Sequence, residues 1–162
     1  VPDHYPVGMG RSLLDYEFPA GVAAREAALA AQGTVVRDFE PRDIVPLLEF
    51  LDAHFPGDCP RLVRERLLRG TDLDEILVAE HAGNIIGYAH VRGEQFGPFA
   101  VHPAEAGRGV GTVLFHRAVE RMRQKGRQNL WLAWTHGEAQ RFYERNGLVV
   151  RRRHAVLRRD LG

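Results

Sequence analysis

Gly97-Pro98-Phe99-Ala100-Val101-His102-Pro103-Ala104-Glu105-Ala106-Gly107-Arg108-Gly109-Val110-Gly111-Thr112-Val113-Leu114 decides how this chain is read. An apolar, β-type run from Phe96 to Val101 is stopped by Pro103. Three closely spaced glycines follow. Val110, Val113, Leu114, Ala118 and Met122 then recur at helical spacing, with Arg117, Glu120, Arg121 and Arg123 on the opposite face. A strand therefore feeds a glycine loop that opens a helix. The first N–H groups of a helix lack internal partners, the helix dipole adds positive charge there, and glycine admits an anion close to the backbone. A phosphorylated ligand is the expectation for this loop.

Working outward, Ala20 to Gln32 reads as an alanine-rich helix ended by Gly33, and Thr34 to Phe39 as a strand. Asp43 to Phe55 and Pro60 to Leu68 read as helices. Glu75 to Glu80 and Asn84 to Val91 form a hairpin through His81-Ala82-Gly83. Beyond the helix that ends near Gln124, Leu130 to Thr135 is a strand and Ala139 to Arg145 a short helix. Leu148 to Leu157 reads as two closing strands. This order predicts a mixed α/β (α+β) fold with helices on both faces of one sheet.

Residues 1–33 read as an N-terminal arm, an irregular strand or extended segment over residues 1–19, followed by a helix, and residues 34–162 as the main domain. The alternation in Tyr5 to Leu13 echoes that in His154 to Leu161. Two readings of residues 1–16 stay open: an ordinary arm, or the last strand of a preceding, related domain.

At 162 residues, 44% of them hydrophobic, the chain suits one folded domain. No apolar run approaches the roughly 18 residues of a membrane span, so no membrane partner is expected. Cys59 is the single cysteine, which suits a reducing, cytoplasmic setting. A net charge of +1 gives no argument for nucleic acid. The Arg151-Arg152-Arg153 run reads as a solvated strand end.

Two nucleotide motifs fail at the glycine loop. A Walker loop requires lysine and then Ser or Thr after its last glycine, but Gly111 precedes Thr112 and Val113. A dinucleotide fingerprint requires a small last residue. Leu114 stands there counting from Gly109, and Thr112 counting from Gly107.

Val101-His102-Pro103, then Ala106-Gly107-Arg108-Gly109-Val110-Gly111, then Phe142-Tyr143-Glu144-Arg145-Asn146-Gly147-Leu148 resemble, in order and spacing, the signatures of the GNAT superfamily of acetyl-CoA-dependent N-acetyltransferases. The resemblance runs over residues 34–158. It implies a mostly antiparallel mixed sheet of six to seven strands, splayed at the strand before the loop. It departs from the family at Ala106, where Arg or Gln is usual, at His136, where asparagine is common, and at Leu148, where phenylalanine is usual.

The resemblance implies acetyl-CoA as co-substrate and no metal. The amides of Gly107, Arg108, Gly109, Val110, Gly111 and Thr112, with Ala106 preceding them, would hold the CoA pyrophosphate. The backbone of Phe99, Ala100 and Val101 would pair with the pantetheine arm. Tyr143 would hydrogen-bond the thioester sulfur and protonate the departing thiolate, a role suited to a phenol. The amine would attack directly, with no nucleophilic residue.

A protonated amine must lose a proton first. Glu94 is the leading side-chain candidate for the base and His136 the second, ahead of His102 and Glu138. A relay through ordered water is an equal reading. His54 and His90 read as structural. Acceptor selection is expected between Asp43 and Asp74, where Asp58, Asp72 and Asp74 offer negative charge to a cationic amine. Trp131 and Trp134, three apart on a strand, are expected on opposite faces, one in the core and the other lining the acceptor cleft.

The leading function is N-acetylation of a small primary amine: an amino sugar, a polyamine or an amino acid derivative. The alternatives are protein or peptide N-acetylation and a non-catalytic, acyl-CoA-binding regulatory domain. A homodimer, or contact with a missing N-terminal GNAT-like domain, fits the arm.

Overall fold

In the computed structural model, which describes residues 5–55 and 57–155, side-chain alternation along the strand Ile76–His81 sorts the molecule into layers. Ile76 and Val78 pack with Leu47, Phe50, Leu51 and Val63 on one face. Leu77 and Ala79 pack on the other, among Val22, Leu29, Val110, Val113, Leu114 and Phe115. This is the period-two burial of a central strand covered on both sides.

The strands are β1 (Val7–Ser12), β2 (Thr34–Asp38), β3 (Ile76–His81), β4 (Asn84–Arg92), β5 (Gln95–Val101), β6 (Asn129–Thr135) and β7 (Val149–Arg153). They form one sheet in the order β2-β3-β4-β5-β6-β1-β7. The helices are α1 (Ala20–Ala31), α2 (Ile44–His54), α3 (Asp58–Arg69), α4 (Val110–Gln124) and α5 (Gly137–Arg145). Helices α2 and α3 cover one face, while α1, α4 and α5 cover the other. Among the described residues no helix is long and apolar enough to cross a membrane.

Every neighbouring pair is antiparallel except β5 and β6, which are parallel and meet only at Gln95 and Trp131. Past that point the strands part, as expected. A bulge lies beside the split: Ala89 and Val91 of β4 pair with Phe99 and Phe96 of β5, so His90 stands opposite two residues, Gly97 and Pro98. The extra residue turns both Phe96 and Phe99 toward the α4–α5 side.

The N-terminal arm is a strand inside the sheet. β1 runs antiparallel to both β6 and β7, with Val7 opposite Thr135 and Arg153. Val7 and Met9 sink into the core. β1 thereby covers an edge of β6 that would otherwise lie open beside the split.

At the other end of the chain, the expected pair of strands over Leu148 to Leu157 is a single strand, Val149–Arg153, among the described residues. The remainder of that expectation, from residue 156 onward, lies outside the described residues.

Candidate active site

The glycine loop is shaped by its own turn bonds. Glu105 donates its N–H to the His102 carbonyl at 2.9 Å, and Ala106 to Pro103 at 3.2 Å. The Arg108 amide, expected to face a ligand, reaches Glu105 O at 3.3 Å. Gly107 and Gly109 adopt φ of 78° and 89°, a region that side chains disfavour. The amides of Gly107, Gly109, Val110, Gly111 and Thr112 donate to no described residue. Helical bonds reach back four residues, so the first donors of α4 have nothing behind them; Val113 is the first to find a partner, Gly109 O at 3.1 Å.

The neighbouring wall is the free edge of β5. Phe99, Ala100 and Val101 pair with Ala89, Tyr88 and Gly87 on one side. On the side facing β6 they have no strand partner, because the sheet has already split. A Cβ on Gly111 would stand 3.4 Å from Val101 Cγ2 and 3.6 Å from Phe99 Cζ, so the first turn of α4 packs on the side chains of the same β5 residues whose outer edge is unpaired. The wedge thus carries N–H donors from a helix end and unpaired strand groups from β5, within reach of one extended ligand.

Tyr143 closes the wedge from α5. It is buried among Phe96, Phe99, Phe115 and Phe142, at ring-centroid distances of 6.0, 6.3, 6.1 and 5.3 Å. Its hydroxyl makes no hydrogen bond to a described residue. Burial alone raises its pKa above the ordinary phenol value, so it stays a proton donor at neutral pH. Leu148, buried beside it, fills the core position the resemblance assigns to phenylalanine.

The base candidates scatter. Glu94 sits at the closed end of the split, where its Oε1 accepts the N–H groups of Gln128 and Asn129 at 3.2 and 3.0 Å. Its carboxylate ties the β4–β5 turn to β6. His136 stands exposed at the N-terminus of α5 without capping it. His102 Nδ1 accepts the Ala104 N–H at 3.0 Å, and its ring lies 4.1 Å from that of His54. Glu138 pairs with Arg141 on the surface.

The acceptor-side expectations change more. Asp58 pairs with Arg61, and Asp74 with Lys125 just past the end of α4, so neither is a free charge for an amine. Trp131 and Trp134 are both exposed, at 44% and 55%. The reason is a bulge: Leu132 pairs with Met9 and Thr135 with Val7, leaving an extra residue in β6 between them. Leu132 and Thr135 are buried, and Ala133 and Trp134 both turn outward. Trp131 and Ala133 border a groove of about 390 Å³ that is shared with Gly8, Met9, Leu132, Arg151, Arg152 and His154.

Two residues, Arg66 and Arg25, were not singled out by sequence. Arg66 on α3 donates to the bulge carbonyl of Gly97 at 2.8 Å and approaches His90 Nδ1 at 3.2 Å. His90 is itself buried against Tyr88, and burial first, then Arg66, pushes it down to about 4, which keeps it neutral. This polar knot ties α3 to the bulge. Arg25 of α1 lies over Gly109. Among the described residues no group of three His, Cys, Asp or Glu side chains could hold a metal ion.

Residues 72–149 match the family model described as an acetyltransferase (GNAT) domain. The fold is similar to that of a GCN5-related glucosamine N-acetyltransferase region in a fungal multi-domain beta-N-acetylglucosaminidase, with TM-score 0.76 and 18% identity, covering 93% of this chain and 20% of that one. It is also similar to a GCN5-related N-acetyltransferase from Sphaerobacter thermophilus, with TM-score 0.68 and 21% identity, covering 93% and 50%. A third is a GNAT family acetyltransferase from Brucella melitensis in complex with acetyl-CoA, with TM-score 0.56 and 22% identity, covering 68% and 82%. The chain therefore spans a fifth of the length of the first and half of the second. No curated protein matches the sequence.

Proposed function

We propose, from the premise that this chain belongs to the GNAT superfamily, that it transfers the acetyl group of acetyl-CoA to a primary amine of a small molecule. One observation carries the reading: five N–H groups at and before the start of α4, unpaired among the described residues, stand next to the β5 residues Phe99 to Val101, whose outer edge is also unpaired. That pairing suits a ligand with a diphosphate at one end and an extended amide chain at the other.

Acetyl-CoA supplies an activated acyl carbon and a thiolate leaving group. The amides of Gly107 and of Gly109 to Thr112 hold the diphosphate through hydrogen bonds to charged oxygens. The β5 edge over Phe99 to Val101 takes the pantetheine amides as an added strand and orients the acetyl carbonyl. Tyr143 donates its proton to the sulfur as the amine attacks. Cys59, whose thiol burial pushes up, forms no bond in this scheme. With Glu94 engaged by backbone N–H groups, water carries the proton from the amine.

Among small amines, an amino sugar fits first. The groove beside β6 offers the exposed face of Trp131, which suits the apolar face of a sugar ring. No carboxylate lines it, while Arg151 and Arg152 do, so a polyamine would meet like charge. The glucosamine acceptor named for the fungal relative supports the same choice.

Thiol release from acetyl-CoA, measured with glucosamine, spermidine and amino acids in turn, tests this. Turnover with the hexosamine, reduced in Tyr143→Phe, is the expected result. Tight CoA binding with no turnover on any amine would overturn the catalytic reading in favour of a CoA-binding domain.

A further inference from the structure

The geometry points to Arg25 as a ligand for a phosphate of CoA, supplied by α1 from outside the residues that match the family. The inference rests on the reading of the α4 loop as the CoA site.

Helix α1 reaches the loop because Val22 and Leu29 pack with Val110 and Val113 of α4. Arg25, one turn from Val22, is thereby laid across Gly109. A Cβ at Gly109 would stand 2.2 Å from Arg25 Cδ and 3.0 Å from its Nε. The stem of Arg25 therefore rests on the residue that precedes α4, and its guanidinium begins beside the open amides.

That placement sets an exposed guanidinium beside the positive end of a helix. The N-terminus of α4 carries positive partial charge, which repels a cation. Arg108 flanks the same residue, with Nη2 bonded to Gln32 at 3.1 Å and Nη1 paired with Glu105. Arg25, Arg108 and Gln32 border a hollow of about 180 Å³ that no carboxylate lines. The nearby acids are committed elsewhere, Glu26 to Arg117 and Glu105 to Arg108. Arg25 makes no ion pair or hydrogen bond with a described residue.

The guanidinium of Arg25 thus stands beside a helix N-terminus while the nearby carboxylates are engaged elsewhere. An anion held at the loop amides would meet the helix N-terminus and the Arg25 guanidinium together. CoA brings phosphates at two places, its diphosphate and its ribose 3′-phosphate, and either provides the charge. Ala106 offers no cation and Arg108 is paired with Glu105, so Arg25 supplies from α1 an uncommitted charge that the loop lacks.

The test titrates CoA and dephospho-CoA into the wild type, Arg25→Met and Arg25→Lys by calorimetry. Methionine keeps an unbranched stem over Gly109 without the charge, and lysine restores a charge. Unfolding midpoints without ligand verify that each variant folds. The expected result is a Kd for CoA about tenfold weaker in Arg25→Met, partly recovered in Arg25→Lys. The gap between wild type and Arg25→Met narrows as salt is raised. Loss confined to CoA assigns the contact to the 3′-phosphate, and equal loss with both ligands assigns it to the diphosphate. Equal Kd for CoA in wild type and Arg25→Met overturns the inference and leaves the acyl-transfer reading intact. Failure of the wild type to bind CoA overturns both.

Discussion

Glu94 and Asn129 meet where β5 and β6 begin to part, the carboxylate accepting the Asn129 N–H at 3.0 Å. The Glu94 carbonyl accepts the Trp131 N–H, also at 3.0 Å, so one residue clamps both ends of a short bridge. A carboxylate holding two backbone donors is poorly placed to collect a proton from an amine. Glu94→Gln, which keeps an acceptor oxygen, is expected to leave kcat and its pH profile unchanged. Glu94→Ala is expected to cost about 1 to 2 kcal/mol of stability through orphaned N–H groups. A large loss of kcat in the glutamine variant, with its acid limb gone, would restore Glu94 as the base.

Tyr143 tests the other half of the proton path. Its ring is held by four aromatic neighbours, so Tyr143→Phe should fold and bind CoA as the parent does. The expected loss is in kcat, about a hundredfold, the lower end for a positioned general acid. Because burial raises the phenol, the parent should show no alkaline fall in kcat below pH 10 that Tyr143→Phe removes. Steady-state kinetics across pH separate these outcomes. A variant as fast as the parent would assign leaving-group protonation to water.

Trp131 offers a test that separates the proposed acceptor groove from the cofactor site. Its side chain faces the groove of β6, β1 and β7, on the sheet face away from α4 and α5. Trp131→Ala is expected to raise KM for a hexosamine about tenfold, the scale of a lost aromatic contact. KM for acetyl-CoA should not move. A parallel rise in both constants would indicate collapse of the split rather than loss of an acceptor contact.

Local patterns were legible where the forces that made them were local. The apolar stripe of α4 and the glycines before it follow from helix periodicity and backbone sterics, both visible in a short window. Trp131 and Trp134 misled because alternation is valid only within an unbroken ladder, and the bulge after Leu132 is set by the pairing with Met9 and Val7. The central position of β1 was hidden for a related reason. Its partners lie at the far end of the chain, and Gly8 and Gly10 weaken its strand signal. Arg25 could not have been found from the loop motif, since only the packing of α1 on α4 brings it to Gly109. Glu94 precedes β5 in sequence, but its bonds to residues 128 and 129 could be seen only in three dimensions.

Arg37 and Asp43 join β2 to the turn before α2, and their pairing makes stability depend on acid pH. The guanidinium meets both carboxylate oxygens, at 2.7 and 2.8 Å, and also reaches Glu80 on β3. Asp43 is buried, and it accepts the Glu40 N–H at 2.8 Å as well. The hydrogen bonds from Arg37 chiefly, then that from Glu40, hold its carboxyl below the usual carboxylate value despite burial. The folded value therefore lies below the unfolded one of about 3.9. Stability from Asp43 is fully present above that unfolded value and is lost as pH falls through the folded one. Asp43→Ala is expected to cost about 3 kcal/mol at pH 7, the low end for a broken buried pair because Glu80 still holds Arg37. Urea unfolding of parent and variant at pH 7, 5 and 3 reads the effect. The gap should be the same at pH 7 and 5 and smaller at pH 3. A gap that stays constant to pH 3 would trace the loss to packing around residue 43 instead of its charge.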